Sequence, residues 1–308
     1  MMRLSTQYMY QNNIDSLARA MSDGNDVYMR LSSGQILLKP SDDPAGASQA
    51  VIYQNALSNI NQFDTARLYA QDALGQEDST LNSIASLMTK NLSEKIVAGG
   101  NGAYSDADRQ ALATELQGIR DNLLDLANSK NQNGRYIFSG YKTGEAPFNP
   151  DGTYTGGDMA MTQKVADSTE IAVGHTGKDV FLSGTPDDVF AALDKAIDAL
   201  KQPVVDDADR EALQSTLDSV NVSLSRGIDN LGKIQAEVGT NLQQIESLGF
   251  SSETQKITLQ SRLQQTVGSD PDSMISLVSQ SKMTEFALNS SMMVFQSMQQ
   301  MSIFNMLR

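Results

Sequence analysis

The chain has 308 residues and a formal net charge of −14, from 23 lysines and arginines against 37 aspartates and glutamates. Because binding to nucleic acid or to an anionic membrane surface relies on basic residues, this charge argues against both partners. The chain has no cysteine, which excludes disulfides, thiolate nucleophiles and cysteine zinc sites, and its single His175 excludes a multi-histidine metal site. No apolar run reaches the roughly 20 residues of a membrane span, so we expect no membrane insertion.

The first half of the chain is predicted to be helical. One long helix is expected over residues 45–98, because Asp43 can cap it and Pro44 suits the first helical position. It should end at the Gly-Gly-Asn-Gly turn of residues 99–102. A second helix is expected from Ser105, with an apolar seam that recurs every 3.5 residues on average. That seam consists of Leu112, Leu116, Ile119, Leu123 and Leu126.

Residues 134–185 are rich in glycine and in aromatic residues. Short runs of β-branched and aromatic residues between turn-forming residues predict strands. These strands are expected at 135–141, 152–156, 171–174 and 180–182. The sequence therefore predicts a small β-rich domain inserted into a helical rod.

Helical sequence resumes with Thr185 as a cap, Pro186 at the first helical position and two acids after it, and it runs to about Lys201. A longer helix is expected over residues 206–248, with 251–266 extending or flanking it. Its seam has a 3.5-residue period, which is typical of helices that supercoil around one another. The seam consists of Leu213, Leu217, Val220, Leu224, Ile228, Leu231, Ile234, Val238, Leu242, Ile245 and Leu248.

The two ends of the chain share a composition rich in methionine, glutamine and serine. Of the 15 methionines, five lie in residues 1–30 and seven in residues 274–308. The last helix is expected to begin at Asp270-Pro271-Asp272. Its predicted seam consists of Met283, Phe286, Ser290, Met293, Ser297, Met301 and Phe304, and further apolar residues outside it indicate more than one partner.

The end helices have two interpretations. They are either ordinary amphipathic helices of one core, or adhesive helices that pair with each other and also meet other subunits. In the second case the predicted subunit-interface residues are Leu4, Tyr8, Ile14, Leu17, Met21, Met283, Phe286, Met293, Val294, Phe295, Met298, Met301 and Phe304.

The sequence contains no pattern typical of a catalytic or cofactor site. The turn at 99–102 lacks the Lys-Ser/Thr of a phosphate-binding loop. His175, the one candidate general base near neutral pH, lies between glycines and is interpreted as a structural residue in a turn. Paired acids occur at helix starts, where they complement the helix dipole. We therefore predict no enzyme, no catalytic residues, no metal and no cofactor.

Two short motifs, Arg-Leu-Ser-Ser-Gly at 30–34 and Pro-Ser-Asp-Asp-Pro at 40–44, resemble the N-terminal motif of bacterial flagellins and their hook-associated relatives. The stretches 2–7, 95–102 and 134–143, together with 298–304, are similar to the hook–filament junction members of this family. The motif residues are Leu31, Ser32, Ser33, Gly34, Pro40, Ser41, Asp42, Asp43 and Pro44.

The resemblance implies a fold that is mainly α with an inserted small β-rich domain, in a nested, flagellin-like helical rod with coiled-coil termini. The implied domains are a terminal helical inner domain, a helical rod and an outer β-rich domain. Their residues are 1–40 plus 267–308, 41–133 plus 186–266, and 134–185. The resemblance also implies an extracellular location in the bacterial flagellum, after export through the flagellar type III channel without a cleaved signal peptide.

The function implied by the resemblance is a structural adaptor that joins the hook to the flagellin filament. The implied partners are the first hook-associated protein, flagellin, further copies of the chain in a ring layer, and an export chaperone at the C-terminal helix. Three alternatives stay open. They are a flagellin filament subunit with a small outer domain, an enzyme carried in the central domain, and an intracellular coiled-coil scaffold.

Overall fold

The computed structural model describes the backbone of residues 2–306 and the side chains of residues 8–300. The described chain is mainly helical. The helices are α1 (Met2–Ser33), α2 (Pro44–Ser86), a π-helix (Leu87–Leu92), α3 (Ser93–Gly99), α4 (Asp106–Ala127), α5 (Gly177–Phe181), α6 (Val189–Lys201), α7 (Asp207–Val267) and α8 (Pro271–Met306). Two antiparallel strands, β1 (Thr162–Ala166) and β2 (Thr169–Ala172), form a small sheet.

The chain divides into two compact units. The terminal unit comprises residues 1–61 and 252–308, and it includes α1 and α8. The central unit comprises residues 62–251 and contains α3, α4, both strands, α5 and α6. Parts of α2 and α7 belong to each unit.

The core of the central unit is built along the helical seams that the sequence predicted. On α7, seven seam residues are buried, and the other four pack half-buried against the same core. On α4, four seam residues are buried, and Leu126 packs partly buried beside them; the four are Leu112, Leu116, Ile119 and Leu123. Both seam predictions are confirmed. The buried α7 residues are Leu217, Val220, Leu224, Leu231, Ile234, Val238 and Ile245.

The helix predicted over residues 45–98 changes type before it ends. Its start is confirmed, because Asp43 Oδ1 accepts the Ala45 N–H at 3.1 Å. Residues 87–92, however, form a π-helix, whose i+5 hydrogen bonding is seen where the Ser93 N–H donates to the Met88 carbonyl. The prediction of uninterrupted α-helix was wrong there, because apolar periodicity does not reveal one extra residue in a turn.

The strands predicted in residues 134–185 are only partly correct. Residues 171–172 lie in β2, whereas β1 was not predicted. Residues 180–182 are not a strand, because Val180 and Phe181 end α5 and Leu182 adopts a left-handed φ of 55°. The runs at 135–141 and 152–156 contribute isolated bridges, Tyr136 with Lys130 and Tyr154 with Phe148, instead of strands.

Packing of aromatic side chains, not a larger sheet, fixes the position of residues 134–185. The Phe148 ring lies 5.2 Å from each of the rings of Tyr154, Phe181 and Phe190, which brings the segment against α5 and α6. Helix α6 begins three residues later than the sequence predicted. Its cap is Asp188, whose Oδ1 accepts N–H groups of the first turn.

Candidate subunit interface

Helices α1 and α8 pack against each other in an antiparallel pair within the terminal unit. The rings of Tyr10 and Phe295 are 5.7 Å apart. Further along, a Cβ placed on Gly24 would lie 3.4 Å from Thr284 Cγ2, so the two helices approach closely at this glycine. Because residue numbers rise along α1 while their partners fall along α8, the helices run in opposite directions.

The covered face of each helix has the short spacing of a supercoiled pair. On α8 the covered positions recur every 3.5 residues on average, which keeps one face toward the partner. The buried or half-buried residues that follow this spacing are Leu277, Ser281, Thr284, Leu288, Ser291, Phe295 and Met298. Their counterparts on α1 are Ile14, Leu17, Ala20, Gly24, Val27 and Leu31.

The seam predicted for the last helix lies on the opposite side of α8. Met283, Phe286 and Met293 are 70%, 74% and 64% exposed. The predicted seam is therefore not the side of α8 that contacts α1, because apolar residues occur on every side of α8 and the side facing α1 also carries serine and threonine. Met301 and Phe304, the last predicted seam residues, have side chains outside the described residues.

The exposed side of α8 forms an apolar surface, here called the outer face. It consists of Ile275, Met283, Phe286, Met293 and Val294, each at least half exposed. Spacings of 11 and 7 residues place Ile275, Phe286 and Met293 on one helix face, opposite the covered seam. An exposed apolar surface of this kind is typical of protein interaction sites.

Few charges lie near the outer face. Within residues 271–300 the charged side chains are Asp272, Lys282 and Glu285. Lys282 Nζ and Glu285 Oε2 are 2.9 Å apart, so two of the three charges pair with each other. The outer face therefore offers a partner mainly apolar contact.

The exposed side of α1 is more mixed. Tyr8 and Met21 are 69% and 58% exposed, but Asp15, Arg19 and Asp23 lie among them. A partner that binds the exposed side of α1 would therefore contact charged as well as apolar side chains, whereas the outer face of α8 is mainly apolar.

The thirteen predicted subunit-interface residues fall into three groups. Exposed residues, available to a partner, are Tyr8, Met21, Met283, Phe286, Met293 and Val294. Half-buried residues of the α1–α8 pair are Ile14, Leu17, Phe295 and Met298. The side chains of Leu4, Met301 and Phe304 lie outside the described residues. Ile275 was missed by the prediction, although its position eleven residues before Phe286 could have revealed it.

The first half of the motif, residues 30–34, forms the C-terminal end of α1, and the residues after it hydrogen-bond to the end of α7. Gly34 adopts a φ of 68°, and the Ser33 hydroxyl donates to the Arg30 carbonyl at 2.9 Å. The next two N–H groups, from Ile36 and Leu37, both donate to the Val267 carbonyl, at 3.0 and 3.1 Å. Leu31 and Ser32 complete the last turn of α1.

The second half of the motif turns the chain into α2. Asp42 Oδ2 accepts the Lys39 N–H at 3.2 Å, and the same carboxylate lies 3.9 Å from Arg30. Pro40 and Ser41 form the exposed turn before it, and Asp43 caps the helix that begins at Pro44. The motif therefore shapes a backbone corner of the terminal unit.

Among the described residues, no group of three or more His, Asp or Glu side chains is arranged to hold a metal ion. None of the helices in the described part of the chain is both long and apolar enough to span a bilayer. His175 is hydrogen-bonded to two glutamates of the central unit.

Comparisons with known proteins agree with these features. The family model described as "Bacterial flagellin N-terminal helical region" matches residues 4–143 of this chain. Flagellar hook-associated protein 3 of Escherichia coli (strain K12) is 38% identical, with 99% of each chain covered. The protein of the same name from Salmonella typhimurium is 37% identical, with 100% of both covered.

The crystal structure of the flagellar junction protein FlgL from Legionella pneumophila has the same fold, with a TM-score of 0.59 and 20% identity. The match covers 71% of this chain and 100% of that one. Because two relatives match this chain over 99–100% of its length at 37–38% identity, the chain belongs to the flagellar hook-associated protein 3 family of flagellin-like structural proteins.

Proposed function

We propose that this chain is a structural, non-enzymatic adaptor that joins the flagellar hook to the flagellin filament. One side of the adaptor contacts the first hook-associated protein and the other contacts flagellin. The full-length similarity to hook-associated proteins supports the flagellar role, and the Legionella protein of the same fold is named a flagellar junction protein.

The outer face of α8 is the observation that carries the proposal. Burial of a large apolar side chain contributes about 1.5–3 kcal/mol, so an isolated chain gains nothing from exposed Phe286 or Met293. A subunit that stacks on α8 would recover this free energy. Assembly would then favour the tip of a growing structure, where such a partner is present.

Three domains nested along the chain are part of the proposal. Residues 1–40 and 267–308 form the inner, coiled-coil domain, residues 41–133 and 186–266 the rod, and residues 134–185 the outer β-rich domain. The 3.5-residue seams of α1 with α8 and of α7 support the first two assignments. The terminal helices would complete their packing when subunits meet in a ring layer, at an ordering cost of about 2–5 kcal/mol or more.

The same exposed helix suits an export chaperone. An apolar helix that lacks its final partner is prone to association, and a chaperone bound to α8 would cover it before assembly. We propose that the chain then leaves through the flagellar type III channel without a cleaved signal peptide and acts outside the cell.

A flagellin filament subunit is the other candidate, and it is not favoured. The relatives that match the whole chain are hook-associated proteins. An adaptor should stay unpolymerised when purified, whereas a filament subunit should form long filaments by itself.

The test is complementation of a strain that lacks this gene, with electron microscopy of the cells and an assay of flagellin in the medium. We expect bare hooks and released flagellin in the deletion strain, and filaments after complementation with the natural sequence. Intact filaments in the deletion strain, or long filaments grown from the purified chain alone, would refute the adaptor role.

A matched pair of variants tests the outer face itself. Phe286→Asp with Met293→Asp places charge on the outer face, and we expect it to release flagellin as the deletion does. Gln299→Glu adds a carboxylate at an exposed polar position of the same helix, six residues after Met293 and therefore off the outer face, and should leave filaments intact. Equal behaviour of the two variants would mean that the outer face is not the contact.

A further inference from the structure

His175 lies where three segments of the central unit meet. Its backbone N–H donates to Glu77 Oε1 at 2.8 Å, and its ring Nδ1 is 3.0 Å from the same oxygen. The other ring nitrogen, Nε2, is 3.2 Å from Glu237 Oε2. Glu77 belongs to α2, Glu237 belongs to α7, and His175 lies between β2 and α5.

The contacts distinguish the neutral and the protonated form of the His175 ring. A neutral imidazole has one N–H and one lone pair, whereas an ionised carboxylate only accepts. A neutral His175 would therefore point a lone pair at one of the two carboxylates. The imidazolium form donates from Nδ1 to Glu77 and from Nε2 to Glu237, and it satisfies both contacts with one added proton.

Burial makes the added proton important on the α2 side. Glu77 is 0% exposed, and its Oε2 has no hydrogen-bond partner. A buried carboxylate without a compensating charge is costly, and the imidazolium supplies that charge. Glu237, whose side chain is 68% exposed, is solvated by water and depends less on His175.

Other charged or titratable groups near the ring are few. A cavity of about 50 Å³ beside the ring is lined by Tyr69 of α2 and by Arg135 and Tyr136, which lie between α4 and β1. The surface cleft on the α7 side has Glu237 as its acidic residue. Burial lowers the pKa of His175, but the hydrogen bonds and charges of Glu77 and Glu237 outweigh burial and raise it overall.

We propose that His175 is a proton-dependent clasp between α2 and α7. With both ring nitrogens protonated it joins the two helices through the segment 173–176. Loss of the Nε2 proton releases Glu237, while Nδ1–H and the backbone N–H stay on Glu77. Because the pKa of His175 is raised in the folded chain, its stabilisation is fully present below the ordinary value of 6.5. It is lost as the pH rises through the folded-state value.

The test is an NMR titration of the full chain, in which the single histidine gives one set of ring signals. We expect a midpoint above 6.5, two protonated nitrogens below it, and the Nδ1–H tautomer above it. Glu237→Gln keeps an acceptor oxygen without the charge and should lower the midpoint. Glu246→Gln, at an exposed position of the same helix, should leave it unchanged. A wild-type midpoint at or below 6.5, or equal midpoints in both variants, would overturn the clasp.

A second measurement compares stability with pH. Relative to His175→Gln, which cannot gain a proton, the wild type should have its higher unfolding temperature on the acid side of the titration only. Parallel profiles of the two proteins would also overturn the proposal. If His175→Gln does not fold, the NMR titration of Glu237→Gln still tests the proposal.

Discussion

Two glycines of the terminal unit share a backbone conformation but differ in their surroundings, and this difference predicts different costs of an added methyl group. Gly268 follows α7 with a φ of 67°, and Gly34 follows α1 with a φ of 68°. A residue with a Cβ pays about 1–2 kcal/mol in this left-handed region. Gly268→Ala and Gly34→Ala share that term.

The packing term applies to Gly268 alone. A Cβ there would lie 2.6 Å from Ile36 Cβ, 2.8 Å from Cγ1 and 2.9 Å from Cδ1, whereas nothing lies within 4 Å of a Cβ on Gly34. Ile36 Cβ cannot rotate away, and the Ile36 N–H is bonded to the carbonyl of neighbouring Val267. Overpacking adds about 1–3 kcal/mol. We expect a total loss of about 2–5 kcal/mol for Gly268→Ala and about 1–2 kcal/mol for Gly34→Ala.

The assay is urea unfolding of the full chain followed by far-UV circular dichroism. Amide hydrogen exchange at Ile36 and Leu37 should report the local effect, since both N–H groups bond the Val267 carbonyl. Adding Ile36→Ala to Gly268→Ala removes Cγ1 and Cδ1 and should recover part of the loss beyond the cost of Ile36→Ala alone. Equal losses from the two glycine substitutions would refute the packing argument.

Urea unfolding also tests three predictions in the central unit. Asp194→Ala should destabilise by about 1.5–3 kcal/mol, because it removes two charge-assisted hydrogen bonds from Arg120, whose side chain is only 6% exposed and retains Asp121 at 3.7 Å. Arg120→Met leaves a half-solvated Asp194 and should cost less, and the reverse order would contradict this. Gly227→Ala should cost about 1–3 kcal/mol, because its Cβ would lie 2.8 Å from a side chain of α6, and Gly232→Ala, with open space on the same α7, should stabilise by about 0.5–1 kcal/mol. Phe148→Ala should cost about 3–5 kcal/mol, and a loss under about 1 kcal/mol would show that the aromatic cluster is not a core.

The helical part of the fold could be predicted from sequence because its signals are local. The cap at Ser105 accepts the Asp108 N–H and forms a capping box, and α4 begins one residue later. The α7 seam was predicted residue by residue, since burial on a long helix follows its own period. These features depend on neighbours three to seven residues away.

The segment 134–185 was harder to predict because its contacts are distant. Aromatic residues there suggested strands, yet Phe148 and Phe181 pack edge to face with each other in a core shared with α6. His175 shows the same limit. Its structural role was anticipated, but its partner Glu77 is 98 residues away along the chain, and no local pattern pairs them.

The last helix and its start at Pro271 were predicted correctly, but the side of α8 that contacts α1 was not identified. A helix that is apolar all round gives periodicity no basis for choosing a face. The covered face uses Ser281 and Ser291, while Phe286 stays 74% exposed. The side of α8 that faces α1 thus includes small polar residues, while Met283, Phe286 and Met293 stay at least 64% exposed. Small residues permit the close approach at Gly24, and the proposed subunit contact would use the large apolar side chains that remain exposed on the other side of α8.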